Sequence, residues 1–493
     1  MSRRNRSQRQ TTKKQQRRSG SLLHQKRLTT LQEWFLPDDG IFSQLQWHGN
    51  TKWSRSPRRL VWLALYWAWS ESRNLTTAFT EAVECCQKVS GSCPLSTYQG
   101  FMGALVTWTS TFMDLLCQVL QARMKEIGGK FWQIDGWLPI AFDGSRSTAP
   151  RTRANEAALC APNYGKGKTA RYRKKKSKGQ RRKRNQQNPP QPQKPQAWIT
   201  MLWHMGLRLP WMWRLGPSNS SERAHVSEML RAAKWAINTL FCGDAGFIGY
   251  PLWSEILQSG TDFLVRVGAN VSLLTESANY RHEKNDIVLC WPKNQMEARQ
   301  PPLRLRLVQV RIGKTKVWLL TSVLNPAELT IPQMIRLYKM RWGIEVEFRG
   351  LKQTLDRAKL RSRDDKRLLA ELHWSILAMA VAELFALKEQ LSRHRLKALR
   401  KAPRPDPVKR SLAKTMRALR YCLRHLHEVP QPEQDLVSLL RVAVTDSYQR
   451  KSSKRARYRP PNPDKKPLGD PQLRRLTLQE QKQLAHLTEK IAT

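Results

Sequence analysis

The chain has 493 residues, with 87 Lys or Arg against 38 Asp or Glu and a formal net charge of +49. That length allows two or three domains with a sizeable core. An excess of positive charge on this scale makes a compact chain repel itself unless a polyanion neutralises it, which argues for nucleic acid as partner before an anionic membrane.

In chain order, residues 1–28 are polar, basic and without periodicity, with no apolar stretch that would make a secretory signal, and read as a disordered basic arm. Residues 29–130 read as an all-helical domain. Ser56-Pro57 opens one helix, Asn74 caps a second, and Ser96 starts a long third that runs to about Lys125. Arginines near the helix starts suit docking on DNA ends, and a simple packing role explains the same residues equally well. The eight Cys, at 85, 86, 93, 117, 160, 242, 290 and 422, show no Cys-x-x-Cys spacing. They point to packed, reduced thiols in a cytosol-like compartment rather than to a zinc site.

From 131 to 400 the pattern becomes α/β. WLPIAFDGSR (137–146) reads as a strand ending at Asp143-Gly144, and 197–216 as a hairpin. A helix over 220–235 leads to a buried strand, 236–247, that ends at Asp244. Then come a helix over 250–260 and a strand over 261–268. The basic, Pro/Gln-rich 166–196 cannot form a core and is expected to be a flexible loop, either contacting nucleic acid or aiding solubility. Short strands within 269–316 read as a β insertion, and 316–323 as the last sheet strand. The apolar run Leu368 to Leu387 contains Glu371, His373 and Glu383, which argues for a buried helix over a membrane span. Residues 401–493 are expected to form a helical C-terminal region with a basic, Pro-rich tail and at most a short helix near Thr477 to Lys490.

The stretch Thr330 to Leu355 carries the chemistry. Thr330, Pro332 and Gln333 make a helix start with a capping box. If the helix continues at about 100° per residue, Tyr338, Arg341, Glu345 and Lys352 share one narrow stripe, and Glu347 faces the other way. Taken alone, such a stripe is most often a solvated, ion-paired face. The two upstream acids at strand ends change that reading. Asp143, Asp244 and Glu345 supply the carboxylates that a two-metal phosphodiester site uses.

Tyr338-x2-Arg341-x3-Glu345-x6-Lys352, with FDGS at 142–145 and GDAGF at 243–247, resembles the Tyr-Arg-Glu-Lys signature and Asp motifs of DDE transposases of bacterial insertion sequences, in the insertion-sequence-four group. The resemblance covers roughly residues 137 to 390; the basic loop lies outside its motifs. It implies an α/β fold with an RNase H-like catalytic core interrupted by a β-rich insertion. Asp143, Asp244 and Glu345 would ligate two Mg²⁺ ions, with Mn²⁺ as a substitute, and Tyr338, Arg341 and Lys352 would hold transposon-end phosphates. The implied reaction is cleavage at the element's ends, then transfer of the freed 3′-hydroxyl into target DNA. Double-stranded DNA would be the partner, for a homodimer on paired ends in a bacterial cytoplasm, associated with the nucleoid and not with a membrane. Arg266 could equally line a DNA path or pack in the core, and Trp203 and His204 are better explained by core packing than by a DNA path. A nuclease on the same core, or a non-catalytic DNA-binding derivative, remains the alternative.

Overall fold

The computed structural model describes residues 23–48, 52–160, 194–275, 287–313, 315–392, 406–445 and 468–492. The expectations for the N-terminal arm up to residue 22, nearly all of the basic loop and the tail over 446–467 lie outside the described residues.

Four helices come first: α1 (His24–Phe35), α2 (Pro57–Trp69), α3 (Leu75–Ser90) and α4 (Tyr98–Gly128). Leu28, Leu31 and Phe35 share one buried face of α1, so helical structure begins four residues before the expected end of the basic arm. Pro57 opens α2, and every residue from Leu60 to Trp69 is buried, as befits a central helix that is apolar all round. The Asn74 side chain accepts the N–H groups of Thr76 and Thr77 at 2.9 and 3.4 Å to start α3. Thr97, rather than Ser96, caps α4.

After these come β1 (Leu138–Thr148), α5 (Arg153–Leu159), β2 (Gln196–His204), β3 (Leu209–Gly216), α6 (Glu222–Ala232), β4 (Thr239–Gly243), α7 (Tyr250–Gln258) and β5 (Asp262–Val267). Next in the chain are β6 (Ser272–Thr275), β7 (Ile287–Cys290), α8 (Lys293–Glu297), β8 (Leu303–Ile312) and β9 (Thr315–Thr321). The last elements are α9 (Ile331–Arg341), α10 (Gly343–Gln353), α11 (Asp365–Ser392), α12 (Leu412–Arg424), α13 (Leu436–Arg441), β10 (Gln472–Arg475) and α14 (Leu478–Ala492).

Among the described residues ten strands form one sheet in the order β10-β6-β7-β8-β9-β5-β4-β1-β2-β3. β1, β4 and β5 run parallel, while β2 and β3 complete an antiparallel meander with β1. β9, expected as the last sheet strand, pairs with β5, and β8, β7 and β6 of the expected β insertion extend the same sheet outward. The C-terminal region is not wholly helical either. β10 pairs in parallel with β6 and covers the open edge of that strand. Leu476, just beyond it, packs with Leu274, Leu289 and Trp291 in a small apolar cluster.

α11 packs against α2, α4 and β3 and ties the N-terminal helices to the sheet. Trp69 Nε1 donates to the Ala378 carbonyl at 2.8 Å, and Trp374 Nε1 to Thr109 Oγ1 at 2.9 Å. By length and composition α11 could cross a membrane, but 89% of its most apolar window is buried in this fold. Its buried Glu371 and Glu383 each find a partner inside the fold. Glu371 Oε2 accepts the Ser362 N–H at 3.0 Å, and Glu383 pairs with Arg410 at 3.2 Å.

Candidate active site

The sheet and the α9–α10 pair bring the candidate residues together. β1 and β4 pair in parallel from Leu138↔Thr239 to Ala141↔Cys242, where the ladder stops. Asp143 lies two residues past that last pair, and Asp244 directly follows β4. β1 itself does not end at Asp143 as expected but continues to Thr148, because its other edge stays paired with β2 as far as Thr148↔Gln196. Asp143 Oδ1 accepts the Gly144 N–H at 2.8 Å, and Asp244 Oδ1 accepts that of Gly246 at 2.8 Å. Asp135, the Asp-Gly pair ahead of β1, sits in a left-handed turn at φ 54 and pairs with Arg336 at 3.0 Å, away from this site.

The Thr330 N–H donates to Gln333 Oε1 at 2.7 Å, part of the capping box that starts α9. The expected single helix is interrupted at Trp342, so α9 ends at Arg341 and α10 starts at Gly343. Packing is close just past the break: a Cβ on Gly343 would stand 2.3 Å from the Trp203 ring, so only glycine fits there. The two faces nevertheless separate the acids. Glu345 is exposed and beside Arg341, whereas Glu347 is buried. Burial, then the neighbouring Glu383, pushes the Glu347 carboxyl well up, so that its neutral form is favoured.

Arg341 is the centre of the charge arrangement and is only 7% exposed. Nη1 lies 3.8 Å from Asp143 Oδ2, Nη2 lies 3.4 Å from Glu345 Oε1, and the guanidinium carbon stands 5.6 Å from the Tyr338 ring centroid. Lys352 Nζ donates to Ser145 Oγ at 2.7 Å, and burial lowers its ammonium. Folding raises the Asp143 carboxyl to about 6. Burial is the largest cause; Asp244 and Glu222 push the same way, while the Gly144 N–H and Arg341 oppose them.

Other expected contacts fall elsewhere. Arg266 is half-buried on β5 opposite Leu319, with no ion pair to the three acids among the described residues. Trp203 and His204 are fully buried, and burial lowers the His204 imidazole to about 3. Glu222, at the start of α6, stands among the acids without any motif to announce it.

The donor chemistry suits a hard divalent cation: carboxylate oxygens that repel one another, faced by a buried guanidinium. The three-acid set is not assembled, however. Among the described residues no three carboxyl, imidazole or thiol groups are grouped so as to hold a metal ion. Arg341 stands between Asp143 and Glu345 and pairs with both.

Residues 139–381 match the family of the transposase DDE domain, a span that holds Asp143, Asp244 and Glu345. Comparison with curated proteins returned no match. Among solved structures, a cryo-EM structure of a piggyBac transposase synaptic complex with hairpin DNA aligns over 86% of this chain and 87% of its own. Identity is 12% and the TM-score 0.39, a likeness too low to carry weight for fold or function. The match over residues 139–381 supports a DDE transposase enzyme.

Proposed function

We propose that the protein is a cut-and-paste transposase of the insertion-sequence-four group, which cleaves DNA at the ends of its transposable element and joins them to target DNA. One observation carries the reading. Neighbouring parallel strands deliver Asp143 and Asp244 to the same end of the sheet, where α9 and α10 bring Arg341, Glu345 and Lys352. The order β3-β2-β1-β4-β5, with β4 and β5 parallel to β1, supports an RNase H-like core.

Asp143 and Asp244 would hold divalent cations, Mg²⁺ or Mn²⁺, with Glu345 as third ligand once its pairing with Arg341 opens. Bound cations supply an activated attacking oxygen and stabilise the leaving 3′ oxygen. Arg341, Lys352 and Tyr338 bind and orient the scissile-strand phosphates, and the +49 charge holds double-stranded DNA, both inverted repeat and target. Arg266 serves as an outlying DNA contact. The N-terminal helices read the inverted repeat, and two copies act on paired ends at the bacterial nucleoid.

The test is incubation of the full chain with labelled end DNA, target plasmid and Mg²⁺. Joined product is expected. Cleavage without joining would mean a nuclease, and binding with neither, unaltered by Glu345→Gln, a non-catalytic derivative.

A further inference from the structure

A fourth carboxyl lies against Gly144, the residue after Asp143, and it belongs to Glu222. Ser221 caps α6 by accepting the Ala224 N–H at 3.4 Å, which makes Glu222 the first helical residue. A glutamate there ordinarily points to solvent, where the helix N-terminus favours its charge. This one turns onto β1 instead. A Cβ added to Gly144 would stand 2.0 Å from Glu222 Oε1 and 2.8 Å from its Cγ, so glycine leaves the room that the carboxyl occupies. The N–H of that same glycine donates to Asp143 Oδ1, which sets both carboxyls about one residue.

Glu222 is half-buried and has no hydrogen bond or ion pair among the described residues. Burial and then Asp244 raise its carboxyl; Arg146, whose guanidinium lies 4.0 Å from the Trp198 ring centroid, opposes them. The buried Arg341 also reaches Asp143, its Nη1 3.8 Å from Oδ2 and its Nε without a hydrogen-bond partner. A guanidinium already shared between Asp143 and Glu345 does not balance Asp244 and Glu222 as well. A hydrated divalent cation would, and Mg²⁺ keeps several of its waters when bound. Such waters reach carboxyls that stand too far apart to share one ion directly.

We propose that Glu222 is a positioning residue of the transposase site, accepting hydrogen bonds from the water shell of the divalent cation that Asp143 and Asp244 hold. The inference rests on the metal reading given under Proposed function, and the test separates the two.

Mn²⁺ binding to the full chain is measured by electron paramagnetic resonance for wild type, Asp244→Asn, Glu222→Gln and Glu222→Asp, with thermal midpoints in chelator. Asp244→Asn should abolish site binding, and Glu222→Gln should weaken it about tenfold, the lower end for groups behind a metal ligand. Glu222→Asp should fall between wild type and Glu222→Gln. In chelator Glu222→Gln should melt above wild type, because a repelling charge has gone, whereas loss of a merely structural residue would lower the midpoint. Loss in Asp244→Asn with unchanged binding in Glu222→Gln overturns the role of Glu222 and leaves the site reading intact. A lowered Glu222→Gln midpoint, or Glu222→Asp binding no better than Glu222→Gln, also overturns it. Mn²⁺ binding that is absent in wild type, or indifferent to Asp244→Asn, removes the metal reading and this inference together.

Discussion

Replacing Asp143 with Asn isolates the charge stored at the site, because the amide keeps the shape and can still accept the Gly144 N–H. Folding lifts the Asp143 carboxyl from 3.8 to about 6, burial first and Asp244 reinforcing it. At about 1.4 kcal/mol per pKa unit, that corresponds to about 3 kcal/mol. Because the neutral acid is the form folding favours, this contribution is intact below the unfolded value of 3.8 and is lost as pH rises through about 6. Wild type should therefore lose up to about 3 kcal/mol on going from about pH 4 to about pH 7.5, and the Asn variant should not. Urea unfolding followed by tryptophan fluorescence in chelator, with both proteins at both pH values, measures the difference. The variant should gain on wild type at the higher pH, and adding Mg²⁺ there should narrow the gap by stabilising wild type alone. A gap of the same size at both pH values would refute the reasoning.

Glu345→Gln should retain end binding and lose DNA cleavage, whereas Glu347→Gln should keep both, since the buried Glu347 already favours its neutral form beside Glu383; gel-shift and nicking assays check this, and the reverse pattern would invert the helix faces. Gly343→Ala drives a methyl group to 2.3 Å from the Trp203 ring and should cost about 1–3 kcal/mol, read as a lowered thermal midpoint. An unchanged midpoint would deny the close packing between α10 and β2. Arg341→Ala should weaken DNA binding across sequences and lower its salt-dependence slope by about one, measured by fluorescence anisotropy over a salt series. A slope equal to that of wild type would leave Arg341 as a partner of carboxylates alone.

Much of this arrangement was legible because it is local. The start of α2 at Pro57, the Asn74 cap of α3 and the Thr330–Gln333 capping box each depend on groups within a few residues. So does the opposition of Glu345 and Glu347, two residues apart on a helix. Most of the differences involve a distant partner. Trp203 packs so closely on Gly343 that a side chain there is excluded, and β2 holds β1 extended beyond Asp143. β8, β7 and β6 continue the main sheet outward from β9, and β6 recruits a strand from the C-terminal end of the chain.

By itself the sequence determined the charge, the local helix caps and the opposite facing of Glu345 and Glu347, since hydrogen bonds and periodicity between near neighbours depend only on what those neighbours are. Only the tertiary structure decided that Arg341 would stand between Asp143 and Glu345, and that Glu222 would lie over Gly144. Repulsion among carboxyls and attraction to a guanidinium act through a few ångströms of space, and residues 79 positions apart along the chain enter that range only after the sheet has formed.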